Sequence, residues 1–243
     1  MGDFIAALQR YCTFTREEVR DIFIIAIVFG FIISFRDWGE DTFNAITGIE
    51  NLLKGFLIAG IALFFKFGFQ KAFALKRGYQ IEFKVWGIGL FLGVLITLVS
   101  RGHLMLLLPA GVVLFHMGGM RLGRFRYGLN MFDVALVSLM GPVANIILAI
   151  IWKLLLLVAP ENIFFAKAFL VNVTLAVTSI LPIPFTDGGN TFFGSRTLWA
   201  FGIGAMVSAA ALLYLIKSPF IAIIPAIIVG IAIGIAWYSE MEP

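Results

Sequence analysis

Thr197–Ile216 and Pro219–Tyr238 are two apolar runs without a charged residue, separated only by Lys217 and Ser218. Each has the ~20 residues that a helix needs to cross a hydrocarbon core of roughly 30 Å. A soluble domain of 243 residues has no place to hide two such helices, and the rest of the chain is of the same kind. Residues of the set AVILMFWYC make up 61% and charged residues 13%, about half the ~25% of an ordinary globular domain. The same figures exclude a disordered chain, which is poor in hydrophobes and rich in charge. Cys12 is the one cysteine, which excludes a disulfide-stapled scaffold. The expected class is therefore an all-α, polytopic membrane protein. In that class a formal net charge of +4 concerns orientation in the bilayer, and nothing in it points to nucleic acid.

Six further runs bring the expectation to about eight transmembrane helices. They are Ile22–Phe35, Leu52–Phe73, Val85–Ser100, Leu104–Met120, Val134–Trp152 and Ile163–Leu181. The first is followed by Arg36-Asp37-Trp38-Gly39-Glu40-Asp41 rather than a small-residue cleavage site, so an uncleaved anchor is expected. Basic residues alternate along the chain. Arg10, Arg16 and Arg20 come first, then Lys66, Lys71, Lys76, Arg77 and Lys84, then Arg121, Arg124 and Arg126. Residues 36–54 instead carry Asp37, Glu40, Asp41 and Glu50 against two cations. By the positive-inside rule both termini are cytoplasmic and the acidic loop lies outside. The basic stretches serve as topology determinants, and the same surface could hold anionic lipid. The chain reads as a single membrane domain over 1–243, with an N-terminal anchor and acidic loop over 1–49 and a C-terminal helical pair over 197–238. Gly89/Gly93 and Gly230/Gly234 are small-xxx-small pairs, expected to let helices approach closely.

Three interruptions break the apolar pattern. Pro109-Ala110-Gly111 lies inside one run. Leu181-Pro182-Ile183-Pro184-Phe185-Thr186-Asp187-Gly188-Gly189-Asn190 follows another, and its two prolines cannot sit in a helix interior. Irregular backbone at membrane depth survives only where protein or a watery cavity surrounds it. Asp187 is thus either part of a solvated connection or an intramembrane ionisable group with a function. The third is Gly141-Pro142-Val143-Ala144-Asn145, which loosens a helix and offers an amide to a neighbour.

Taken in order, these segments resemble the site-2 protease family of intramembrane zinc metalloproteases, archaeal-type members in particular. Gly141-Pro142-x-x-Asn145 is similar to that family's Gly-Pro-x-x-Asn helix. Pro182-x-Pro184-x-x-Asp187-Gly188 is similar to its Asn-x-x-Pro-x-Pro-x-Asp-Gly loop, with Ser179 where the Asn would stand. The stretch from Lys76 to Leu90 is similar to the one that follows the family's metal motif, and Pro109-Ala110-Gly111-Val112 to its Pro-Gly-Ala-Val. The resemblance covers about residues 50–200 and implies a site-2 protease-like core there.

It also implies zinc, bound by two histidines of an H-E-x-x-H helix and one loop aspartate, with the Glu as base toward metal-bound water. This chain has only His103 and His116, thirteen residues apart and neither followed by Glu. Anchored on Gly78, the motif falls on Lys66 and Phe67 for the first His and the Glu, and on Gln70 for the second His. Asp187 alone keeps a ligand position. No zinc is expected, and Lys66 and Asp187 are expected to form an ion pair where the metal would sit. The leading expectation is a catalytically inactive homologue that binds or scaffolds a transmembrane segment of a client without cutting it. One alternative is an active zinc protease with ligands from elsewhere, such as His103 and His116 brought to Asp187 by a fold-back at Pro109–Gly111. Another is a small-solute or ion transporter built on discontinuous helices.

Overall fold

The computed structural model describes residues 12–39, 43–116 and 128–241. Arg10, Glu40, Asp41, Arg121, Arg124 and Arg126 therefore lie outside the described residues. In chain order the elements are α1 (Arg16–Ser34), α2 (Ala45–Lys76), β1 (Tyr79–Phe83), α3 (Gly87–Val99), β2 (Val112–His116), α4 (Met131–Val158), α5 (Ile163–Ser179), α6 (Asp187–Gly194), α7 (Arg196–Leu215) and α8 (Pro219–Met241). Helix starts follow local chemistry. Thr15 and Glu18 form a capping box on α1, and Asn44, Asn130, Asn162, Thr186 and Ser195 each cap a helix through the side chain, satisfying amides that have no partner within the helix.

Among the described residues, four helices are long and apolar enough to cross a membrane: α2, α4, α7 and residues Ile221–Glu240 of α8. Helices α3 and α5 are apolar but shorter, and α1 spends its first turn on Arg16, Glu17 and Glu18. Seven of the eight runs expected from the sequence fall on helices.

The run Leu104–Met120 does not. It is irregular from Leu104 to Gly111 and then forms β2, which pairs antiparallel with β1 from Phe83↔Val112 to Tyr79↔His116. The chain thus carries a two-stranded sheet within a helical protein. The cause is local: Pro109 removes an amide and Gly111 weakens a helix, while Val112-Val113 favours a strand. Residues 104–111 run back along α3, because β1 immediately precedes α3 and β2 must reach it. Eight extended residues cover about 26 Å, more than the ~20 Å length of α3. The middle of this stretch is shielded by protein, with Leu107 and Leu108 at 0% and 1% exposure, while Leu104 at its start is exposed. The Thr178 hydroxyl donates to the Leu107 carbonyl at 2.6 Å, and a Cβ at Gly93 would lie 2.6 Å from the Leu106 carbonyl oxygen.

Two apolar clusters flank the centre. One joins α1, α2 and the two-stranded sheet to one side of α4 and α5, with Phe29, Leu63, Phe67, Phe83, Val137 and Leu175 among its members. The other joins α4, α5, α7 and α8 through residues such as Leu139, Ile180 and Ala209. Gly204 and Gly230 bring α7 and α8 together, since a Cβ on Gly230 would meet Ala205 Cβ at 2.7 Å.

Candidate functional site: a buried ion pair among four helices

Polar residues converge between these clusters. Lys66 and Gln70 lie one turn apart on α2 and therefore share a face. Ser138, Gly141 and Asn145 lie along one face of α4 in the same way. Ser179 ends α5, and Asp187 opens α6. All of the side chains are buried, Lys66, Gln70, Ser138 and Asn145 completely.

Lys66 Nζ lies 2.7 Å from Asp187 Oδ2, with both side chains at 0% exposure. The same ammonium donates to Ser179 Oγ at 3.2 Å. The second carboxylate oxygen, Asp187 Oδ1, accepts from Gln70 Nε2 at 3.1 Å, and that amide also donates to the Ser138 carbonyl at 3.2 Å. A charge this deep is tolerated only with a partner and further hydrogen bonds, and each member here has both. Pro142 lies inside α4 beside this face. Gly141 makes the packing possible, because a Cβ there would fall 2.5 Å from Asp187 Oδ2, 2.7 Å from Gln70 Nε2 and 2.9 Å from Lys66 Cε.

Asp187 is held by the turn between α5 and α6, which corrects the reading of 181–190 as one loop: Asp187 and Gly188 already belong to a helix. Thr186 is the reason. Its hydroxyl accepts from the Gly189 amide at 3.2 Å and donates to the Ile183 carbonyl at 2.7 Å. Pro182 and Pro184 keep the turn out of the helical state. Gly188 and Gly189 let it fold tightly, since a Cβ on either would lie 2.2 Å from a backbone atom of the turn. Phe185 takes a left-handed φ of 65°, and its carbonyl accepts from the Gly111 amide at 2.7 Å. The interruptions at Pro109-Ala110-Gly111 and Leu181–Asn190 therefore touch.

Phe67 stacks face to face on Phe83 of β1, with centroids 3.7 Å apart and planes 4° apart. Where the resemblance implies a proton-accepting Glu, the chain has an aromatic pair that fastens α2 to the hairpin. Asn145 is buried, and its amide has no hydrogen-bond partner among the described residues. His103 is exposed in the turn after α3, while His116 ends β2 beside the Tyr79 ring. Neither joins Asp187, and the described residues contain no group of three His, Cys, Asp or Glu suited to a metal. Asp133 at the start of α4 pairs with Arg77 and accepts from Tyr79 Oη at 2.9 Å.

The donor set at the centre does not fit zinc. Asp187 is its one anionic oxygen donor, and an ammonium already occupies the space against it. Zinc sites draw on thiolate, imidazole and carboxylate ligands, and an ammonium has no lone pair to offer. Ser179 and Gln70 as partners of the pair, Gly141 as its spacer and Phe83 as the platform for Phe67 escape the sequence reading, because helix crossings select them. Thr186 carries a local sign, a Thr directly before Asp-Gly-Gly, which is an N-cap pattern.

Beside this centre, a cleft of about 530 Å³ lies between β2, the end of β1 and the α5–α6 turn. Phe83, Trp86, Phe115, Pro184, Phe185 and Phe193 give it an apolar wall. Asn190 Nδ2 donates to the Val112 carbonyl at 2.8 Å, at the start of β2.

No family model matches the chain, and no solved structure matches it. A protein of Methanocaldococcus jannaschii named "Putative zinc metalloprotease" is 25% identical over 191 residues, which cover 77% of this chain and 89% of that protein.

Proposed function

We propose that the chain is a non-cleaving homologue of the intramembrane metalloproteases, one that holds an apolar segment of a client protein in extended form. The observation that carries the reading is the Lys66–Asp187 pair, closed by Ser179 and Gln70, in the place where the resemblance implies a metal. A lysine side chain held between a serine hydroxyl and a carboxylate takes the place of a metal ligand set and occupies the one carboxylate there. Phe67, stacked on Phe83, supplies no base. What remains is a binding geometry. The cleft has a strand at its side and aromatic rings on its walls, and an extended peptide takes affinity from strand-edge hydrogen bonds and specificity from such side-chain pockets. The likeness to a metalloprotease over most of both chains supports the kinship. Eight crossings of the membrane, with both termini cytoplasmic, belong to the same proposal.

A photo-crosslinker at Val113, exposed on β2 and lining the cleft, tests it in liposomes with a model apolar peptide that contains a Gly-Pro break. The expected product is a crosslink to peptide of unchanged mass, reduced several-fold by Trp86→Ala. Shortened peptide, or equal crosslinking from a lipid-facing position such as Ile228, contradicts the proposal.

A further inference from the structure

At the end of α3 away from the hairpin, a pocket of about 380 Å³ opens between α1, α3 and α5. Its floor is apolar, made by Ile32, Ile33, Met105, Leu170 and Val171. Its rim is polar and comes from three separate parts of the chain: Arg36 just past α1, His103 in the turn after α3, and Lys167 in α5.

The rim is built rather than incidental. Lys167 Nζ bridges to Asp37 Oδ2 at 2.7 Å and ties α5 to the segment after α1. The turn carrying His103 passes through left-handed backbone at Arg101 and Gly102, with φ of 52° and 74°. At Gly102 a Cβ would sit 2.5 Å from Arg36 Cγ, so the turn and the arginine stem are packed together. His103 Nδ1 donates to the Ser100 carbonyl at 2.8 Å, which sets the ring. Among the described residues Arg36 makes no ion pair. Asp37 thus offsets Lys167, and among the described residues of the rim Arg36 leaves a cationic excess.

We propose that this pocket seats one anionic phospholipid, with its phosphate on Arg36, His103 and Lys167 and the start of an acyl chain on the apolar floor. Basic pockets between membrane helices hold lipid headgroups, and a guanidinium fork matches two phosphate oxygens. The floor selects lipid over free phosphate, because an inorganic anion leaves the apolar surface of Met105 and Leu170 uncovered. The site is separate from the Lys66–Asp187 centre and from the cleft, which lies at the other end of α3. Its ligands come from three separate parts of the chain, so an occupied pocket stiffens this end of the bundle.

The test uses the full chain, delipidated in neutral detergent, with native mass spectrometry and thermal unfolding as readouts. The probes are phosphatidylglycerol, phosphatidylcholine with the same acyl chains, and inorganic phosphate. Wild type is expected to retain phosphatidylglycerol on the order of tenfold better than phosphatidylcholine and to melt at a higher temperature with it, while phosphate does neither. Arg36→Gln and His103→Gln, both at exposed positions, are each expected to shrink that preference several-fold while melting as wild type does in detergent alone. Equal retention of the two lipids by wild type, an undiminished preference in the double variant, or equal stabilisation by inorganic phosphate overturns the proposal.

Discussion

Lys66 and Asp187 are held in the core by each other, and removing one leaves the other as a charge without solvent. Breaking a buried pair from one side costs about 3–5 kcal/mol, whereas removing both charges costs far less. Lys66→Met and Asp187→Asn are therefore each expected to lower stability by that amount, and the double variant by clearly less than the sum. Unfolding of the four proteins in one detergent measures the coupling, which is expected at about 2 kcal/mol or more; additive losses contradict a direct pair. At this scale the sequence is partly legible. The family resemblance, anchored on Gly78 and on Pro182-x-Pro184, implies that Lys66 and Asp187 face each other, and the structure sets them 2.7 Å apart. Ser179 enters the sequence reading as a lost Asn, yet in the structure its hydroxyl accepts from Lys66. That partnership depends on how α2 crosses α5, and no local pattern encodes a crossing.

At the scale of elements, the site depends on where α6 begins. Thr186 caps it, and the capped turn holds Asp187 against α2. Thr186→Val keeps the shape and removes the hydroxyl, so it is expected to cost ~1 kcal/mol for the cap, and more if Asp187 shifts from Lys66. Thermal unfolding of Thr186→Val and Thr186→Ser checks this, with the serine variant close to wild type. Most helices are legible as apolar runs with a polar cap before them. Leu104–Met120 misleads because hydropathy does not separate a buried extended segment from a helix. The informative residues there are Pro109 and Gly111. Pro142 carries no such message, since it lies within α4. One proline marks the end of helix and another is absorbed, and the difference lies in tertiary packing that the chain's order does not spell out.

At the scale of the whole molecule, residues 104–111 take the place of a helix in returning the chain from the far end of α3 to the hairpin. The proposed alternation of ends requires this stretch to cross in extended form, and such backbone survives at membrane depth only beside protein or water. In a Cys12→Ala background, cysteines at His103 and Ser218 are expected to react from one side of the membrane and cysteines at Lys84 and Ser239 from the other. Labelling of His103 and Lys84 from the same side contradicts this path. The Lys66–Asp187 ion pair stands where the resemblance implies a metal. The most direct test of that substitution is the zinc content of the chain purified from its native membrane without chelators, beside Asp187→Ala. Far less than one zinc per chain is expected in the wild type, with no change in the variant. One zinc per chain, lost on Asp187→Ala, contradicts it.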